Sequence, residues 1–308
     1  MNKSGITVMK FGGSCLRNPD DIIKATRIIA SHQRSVVIVS AFNGITDELL
    51  IICGQKSRDE RLRMFDKVSN FHLKMLDGIT NEHTRKSAFE EMKRRLRELE
   101  SALASNHKEN LDTCEIAEVL SSGERLSATI VRWYLVNEGF NSIALETDSL
   151  GIITDDNYLN AEVDISATIL EAPKKVLDYL NKDFIPVVTG FIGRSKSGKT
   201  SLLGRNSGDY SAAIVSHTLD ARELIFWKDV PGFMTADPKV QVDSRLIETM
   251  SYEQAMNYSK RGSKVLHPKV IGIAMASGMP IRIKNFNEPG ANGTTITCNH
   301  VMPNEQTS

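Results

Sequence analysis

The chain has 308 residues, 41% of them hydrophobic, enough to bury a substantial core as one large α/β domain or as two lobes. Lysine plus arginine equals aspartate plus glutamate at 38 each, so there is no basic surplus of the kind that marks a nucleic-acid binder, and any anion binding must be local. The four cysteines form no C-x-x-C pair and do not cluster with histidine, which argues against structural zinc and against a disulfide framework. No apolar run approaches the roughly 18 residues of a membrane span and no apolar segment precedes a cleavage site, so a soluble cytoplasmic protein with reduced thiols is expected.

The first apolar run, Ile6 to Cys15, is a short strand that carries Lys10 near its end and then breaks into Gly12, Gly13 and Ser14. A cation and several free backbone N–H groups then face one point, which suits a polyphosphate, although Gly-Gly turns also follow strands that bind nothing. Asn18-Pro19-Asp20-Asp21 reads as a helix start, with Asn as cap, Pro in the first turn and two acids against the positive dipole end. Ser35 to Ser40 is a β-branched run of the kind buried in a parallel sheet, ending in the small and polar turn Ala41 to Thr46. Such turns at the carboxyl edge of an open α/β sheet are where ligands sit, or they are ordinary connections.

From Asp47 to Gly139 the chain is mostly helical, and Phe89, Met92, Leu96, Leu99 and Leu103 recur in steps of three and four along a charged segment whose polar face meets water. Ser121-Ser122-Gly123-Glu124-Arg125 reads as an interruption before a second helix. Glu124 is then either a surface acid at a helix start or an acceptor for a substrate ammonium.

Asp183 to Ile192 reads as one strand. The stretch after it, Gly193 to Thr200, matches G-x-x-x-x-G-K-[ST], the phosphate-binding P-loop pattern. That loop needs a helix to begin at its Gly-Lys-Thr, whereas Ser201-Leu202-Leu203 runs at once into Gly204 to Gly208, so a hairpin loop is expected here. Leu203 to Ala213 places Arg205 and Asp209 just before an apolar helix, Tyr210 to Leu219, joining a bidentate carboxylate reader to an acid able to organise lysines or magnesium. Leu224 to Asp229 is a further buried strand, Thr235 to Lys239 a turn, and Lys264 follows a glycine between two helical patterns. Met279 to Ile283 and Gly293 to Ile296 close the ordered part.

Taken together and in order, K-F-G-G-S-C, S-A-F-N-G-I-T, S-S-G-E, T-G-F-I-G, L-G-R-x-x-x-D-Y-S-A, W-K-D-V-P-G, T-x-D-P-K and G-S-K-V-L-H-P resemble the catalytic domain of aspartate kinases, from about Val8 to Ile296. The resemblance implies the amino-acid kinase fold, a three-layer α/β/α sandwich with a mainly parallel central sheet. It implies one catalytic domain over 1–300, with the acceptor on a lobe of about 1–200, the nucleotide on a lobe of about 201–300, and a tail at 301–308.

The implied reaction is ATP plus L-aspartate giving 4-phospho-L-aspartate and ADP, with Mg2+ carried on the phosphates and no protein ligands to the metal. Residue by residue, the resemblance makes Lys10, Asp209 and Lys264 catalytic. It places Ser40, Thr46, Glu124 and Arg205 on the acceptor, with Glu124 on the ammonium and Arg205 on the α-carboxylate. Lys10, Gly12, Gly13, Ser14, Lys228, Asp229, Asp237, Lys239 and Lys264 fall on the nucleotide and its phosphates.

The family's usual G-G-S after the arginine is here Asn206-Ser207-Gly208, Thr-Ser is Ser14-Cys15, and Met234 stands where many members have tyrosine. Aspartate kinases continue into paired regulatory ACT domains, which this sequence lacks, so activity without lysine or threonine control is expected. A homodimer and a separate regulatory partner are both compatible with the resemblance. The alternatives are a related kinase acting on another carboxylate acceptor, and a non-catalytic binding or regulatory homologue.

Overall fold

The computed structural model describes residues 4–104, 110–204, 207–236, 241 and 243–298. The chain opens with β1 (Thr7–Phe11), α1 (Pro19–Ala30) and β2 (Ser35–Val39), followed by four helices, α2 (Ile45–Cys53), α3 (Arg58–Lys74), α4 (Glu82–Ala104) and α5 (Thr113–Asn137). Then come β3 (Ser142–Leu145), a short α6 (Thr147–Leu150), β4 (Ile153–Thr154) and α7 (Ile165–Leu180). Next are β5 (Ile185–Thr189), β6 (Ile192–Ser195), β7 (Thr200–Leu202), α8 (Gly208–Thr218) and β8 (Glu223–Lys228). The last elements are β9 (Thr249–Ser251), α9 (Tyr252–Lys260), α10 (Pro268–Ser277), β10 (Ile281–Asn285) and β11 (Thr294–Thr297).

Eight strands form one sheet in the order β3-β5-β2-β1-β8-β10-β11-β9, in which only the β10/β11 pairing is antiparallel. Side chains alternate across β1 and its neighbours, so Met9, Phe11, Val37, Val39, Ile225 and Trp227 pack into one core with α1 to α5. Val8, Val36, Ile38, Leu224 and Phe226 pack into a second core with α7 to α10. This is the expected α/β/α sandwich, and both faces are covered because β1 and β2 are apolar on both. Among the described residues no helix is long and apolar enough to cross a membrane.

Local sequence signals act as expected at several ends. The Asn18 side chain accepts from the Asp21 N–H at 2.9 Å with Pro19 at the first helical position, and Asp112 and Glu115 form a reciprocal cap on α5. The segment resembling a P-loop is an antiparallel hairpin of β6 and β7, closed by a turn in which Gly198 has φ +82°. No helix starts at Lys199 or Thr200.

Two expectations are corrected. Asp183 to Ile192 is not one strand: the chain leaves the main sheet after Thr189, turns at Gly190 and Phe191, and re-forms as β6 in a separate three-stranded sheet. Ser121 to Arg125 does not interrupt a helix either, because α5 runs unbroken through it and Glu124 lies near its middle. Gly123 is needed there for closeness rather than for a break, since a Cβ on it would stand 2.9 Å from Ala41 Cβ. That approach offsets the roughly 1 kcal/mol that glycine costs inside a helix.

Arg61 fixes the helical segment that carries α5. It is fully buried on α3, and its guanidinium donates to the Gln55 carbonyl at 2.8 Å and the Leu103 carbonyl at 3.2 Å, at the C-terminal ends of α2 and α4. A cation on two negative helix ends is a favourable arrangement. Arg61→Ala leaves those carbonyls without a donor, and urea unfolding should show a loss of about 2–4 kcal/mol.

Candidate active site

β1 brings Lys10 to the carboxyl edge of the sheet, where the chain enters Gly12 and a single 3-10 turn, Gly13–Cys15. Pleating aims Lys10 at the α8 face together with Val8, and Lys228 at the end of β8 points the same way together with Phe226. Between them stands Asp209, in the first turn of α8. Lys10 Nζ is 2.9 Å from Asp209 Oδ1, and Lys228 Nζ is 2.7 Å from Oδ2. Burial alone would raise the Asp209 pKa, but the two ammoniums outweigh it and hold the carboxyl down to about 2. At neutral pH the trio therefore carries one negative and two positive charges and attracts a further anion.

Backbone crowds in on this trio. A Cβ on Gly208 would stand 2.8 Å from Ser40 Oγ and 3.3 Å from Lys10 Cε, and one on Gly13 would stand 2.9 Å from the Ala41 carbonyl. The Gly12 to Ser14 turn, the Ser40 to Asn43 loop and the start of α8 thus close around Lys10 with no room for a Cβ at Gly13 or Gly208. Cys15 Sγ donates to the Trp227 carbonyl at 3.3 Å, tying the turn to β8. Burial pushes that thiol up to about 11, so it stays a neutral donor.

Glu124 reaches the same loop from α5. It is 3% exposed; its Oε1 accepts the Ala41 N–H at 3.1 Å, while Oε2 is buried without a hydrogen-bond partner among the described residues. Ser127, one turn on, donates to the Ser40 carbonyl at 2.8 Å. Burial pushes the Glu124 carboxyl up to about 8, with the Ala41 N–H opposing. An unmatched carboxyl oxygen held in a dry wall is suited to a cation, above all an ammonium with donors to offer.

Of the residues expected from sequence, Lys10, Gly12, Gly13, Ser14, Ser40, Glu124, Asp209 and Lys228 therefore converge on one place. Thr46 lies half-buried in the first turn of α2, and Asp229 lies exposed just past β8, at the same edge. Lys264 is exposed in the connection between α9 and α10. Because α10 leads into β10, which runs parallel with β8, that connection also lies at the carboxyl edge. Asp209 pairs with Lys10 and Lys228, not with Lys264. Arg205, Asp237 and Lys239 lie outside the described residues. The Ala41 amide and the Ser127 hydroxyl escaped sequence reasoning, since nothing in residue type marks which backbone group a buried acid will meet.

The Glu124 shift has a measurable consequence. Between its ordinary pKa near 4.5 and its folded value of about 8, the folded chain holds a proton that the unfolded chain has lost, so this group makes stability fall as pH rises through that window. Glu124→Gln should remove this part of the decline between pH 5 and pH 8, measured by urea unfolding without ligands. An identical pH dependence in both proteins would contradict the assignment.

The profile of the amino acid kinase family matches residues 5–285. The aspartokinase of Chlamydia pneumoniae is 31% identical over 289 residues, covering 94% of this chain and 62% of its own length. The lysine-sensitive aspartokinase 3 of Escherichia coli is 29% identical over 297 residues, covering 96% of this chain and 65% of its own length. The crystal structure of E. coli aspartokinase III in complex with aspartate and ADP superposes with a TM-score of 0.86 at 27% identity, over 96% of this chain and 65% of that one. The chain thus spans less than two thirds of the length of these relatives. T. acidophilum isopentenyl phosphate kinase, at 15% identity and a TM-score of 0.52 over 94% of this chain and 99% of that one, shares the fold alone. With a family profile over nearly its whole length and the sheet, turn and lysine–aspartate trio described above, this chain belongs to the amino acid kinase family.

Proposed function

We propose that the chain phosphorylates the side-chain carboxylate of L-aspartate at the expense of ATP, giving 4-phospho-L-aspartate and ADP. The observation that carries this is the pairing of two unlike features across one loop: a surplus of positive charge at the buried Lys10 and the half-buried Lys228, and a buried carboxyl oxygen on Glu124 that no described residue matches. The first suits phosphates and the second suits an amino acid's ammonium. That the related aspartokinase III was crystallised with aspartate and ADP supports the same pair of ligands.

In this reading Glu124 takes the ammonium and Arg205 the α-carboxylate, leaving the side-chain carboxylate to face the γ-phosphorus. Ser40 and Thr46 line the acceptor. A carboxylate oxygen bonds to phosphorus as the bond to the β,γ-bridging oxygen breaks, and ADP leaves with that electron pair. No general base is needed, because an aspartate side chain with a pKa near 4 is already ionised at neutral pH. The protein's contribution is placement and charge.

Lys10 and the amides of Gly12, Gly13 and Ser14 hold the transferring phosphoryl group, and Lys264 approaches from the α9–α10 connection. Lys228, Asp229, Asp237 and Lys239 hold the nucleotide, which brings magnesium on its phosphates. Asp209 keeps the lysines in place.

The test is to supply MgATP and hydroxylamine with aspartate, glutamate and related acids in turn and to measure the hydroxamate trapped from an acyl phosphate. Aspartate should give the signal; glutamate alone would move the acceptor to a neighbouring acid, and no acid would remove the kinase reading. Lys10→Ala should lower kcat by about 10²-fold or more, because it removes charge that acts in the transition state. Glu124→Ala should chiefly raise KM for the amino acid. Lys199→Ala, in the hairpin, should leave both constants within about twofold, as expected of a surface change away from the site.

A further inference from the structure

Phe191, between β5 and β6, has φ +68°, a conformation open to glycine and rare for an aromatic residue. The Ile192 N–H donates to the Gly190 carbonyl at 2.7 Å, so Phe191 is the central residue of a γ-turn of the strained hand. Backbone of this kind persists only where its surroundings over-determine it.

Here they do. The Phe191 N–H donates to Ser211 Oγ at 2.8 Å, and the Phe191 carbonyl accepts from the Leu203 N–H at 2.9 Å. The preceding Gly190 N–H donates to the Val39 carbonyl at 2.8 Å, and a Cβ on Gly190 would stand 3.3 Å from Gly208 Cα. Ser211 is fully buried on α8, two residues beyond Asp209. Its hydroxyl donates to the Ser207 carbonyl at 3.2 Å, which leaves its lone pairs for Phe191. One hydroxyl thus couples the helix that carries the catalytic-site aspartate to a strained turn, whose own carbonyl is held by the Leu203 N–H.

The turn lies on the acceptor side. β5 and β8 flank the β2-β1 pair from opposite sides, so Phe191 and Lys228 are separated by Lys10. The Gly190 N–H bonds the Val39 carbonyl, one residue before Ser40 and the loop that Glu124 grips, whereas Lys228 extends from β8 on the far side of β1.

We propose that Ser211 is a positioning residue for the amino-acid acceptor: by holding the Phe191 turn it sets the wall of the pocket opposite the phosphate-binding lysines. The proposal rests on the aspartate-phosphorylating reading of the site. Ser211→Ala strands a buried N–H and lets the turn relax to an ordinary φ, moving that wall while leaving the nucleotide side in place.

Steady-state kinetics with the hydroxamate assay test it. Ser211→Ala should raise KM for the acceptor by about tenfold or more while KM for ATP stays within about twofold, as displacement of positioned groups predicts. Equal changes in both constants, or none, would overturn the role. A pair of substitutions at Phe191 decides the matter if Ser211→Ala does not fold. Phe191→Gly accepts positive φ and Phe191→Val does not, so valine should raise the acceptor KM more than glycine does. Valine keeps more side-chain volume, so simple loss of packing predicts the reverse order, which would contradict the proposal. A wild-type chain that yields no acyl phosphate with any acid counts instead against the function itself.

Discussion

The constraint on which the site depends is the sharing of one largely covered carboxylate, Asp209, by two ammoniums, Lys10 and Lys228, at 2.9 and 2.7 Å. Each lysine extends from the end of a central strand, and the acid lies in the first turn of a helix packed on those strands. None of the three would be stable there alone, because an unpaired charge in a dry site is costly. The trio therefore fixes where α8 begins relative to β1 and β8. The close approach at Gly208 follows from that placement, since a larger residue there would press on Lys10 and Ser40, while one at Gly13 would press on the Ala41 to Asn43 backbone.

Two carboxyls near one loop behave in opposite ways, and the cause is legible in their neighbours. Asp209 has two cations within 3 Å and is held down to about 2; Glu124 has a single backbone N–H and is pushed up to about 8. Burial acts in the same direction on both, and only the partner charges differ. An acid already matched by cations serves as an anchor. An acid still short of a cation is available to a ligand, and an arriving ammonium would draw its proton off. The site thus sets a cation surplus on one side of the Ser40 to Asn43 loop and an acid short of a cation on the other.

Much of this fold was legible in the sequence where residue type dictates conformation. The β-branched run at Ser35 to Ser40, the Asn18-Pro19 cap and the glycine-rich hairpin after Gly193 each carry a local cause that the structure expresses. Failure came where tertiary packing overrode local preference. Gly123 reads as a break, yet α5 continues because Ala41 needs the space. Phe191 reads as mid-strand, yet Ser211 and Leu203 hold it at positive φ. The short strands β3, β4 and β9 carry too few residues to show a period, and sheet partners create them. For the site, the lysines and acids were recognisable by type and order. That Lys228 shares Asp209 with Lys10 was not, because strand register, not spacing, brings residues 218 apart to one carboxylate.

In the proposed reaction a side-chain carboxylate oxygen of aspartate attacks phosphorus in a pocket built from Lys10 and Glu124. The direct measurement uses L-aspartate carrying 18O in both side-chain carboxylate oxygens, with MgATP and hydroxylamine. Hydroxylamine attacks the acyl carbon, so the bridging oxygen leaves with the phosphate. Phosphate released in step with hydroxamate should carry one 18O atom derived from aspartate; unlabelled phosphate would rule out attack by the side-chain carboxylate.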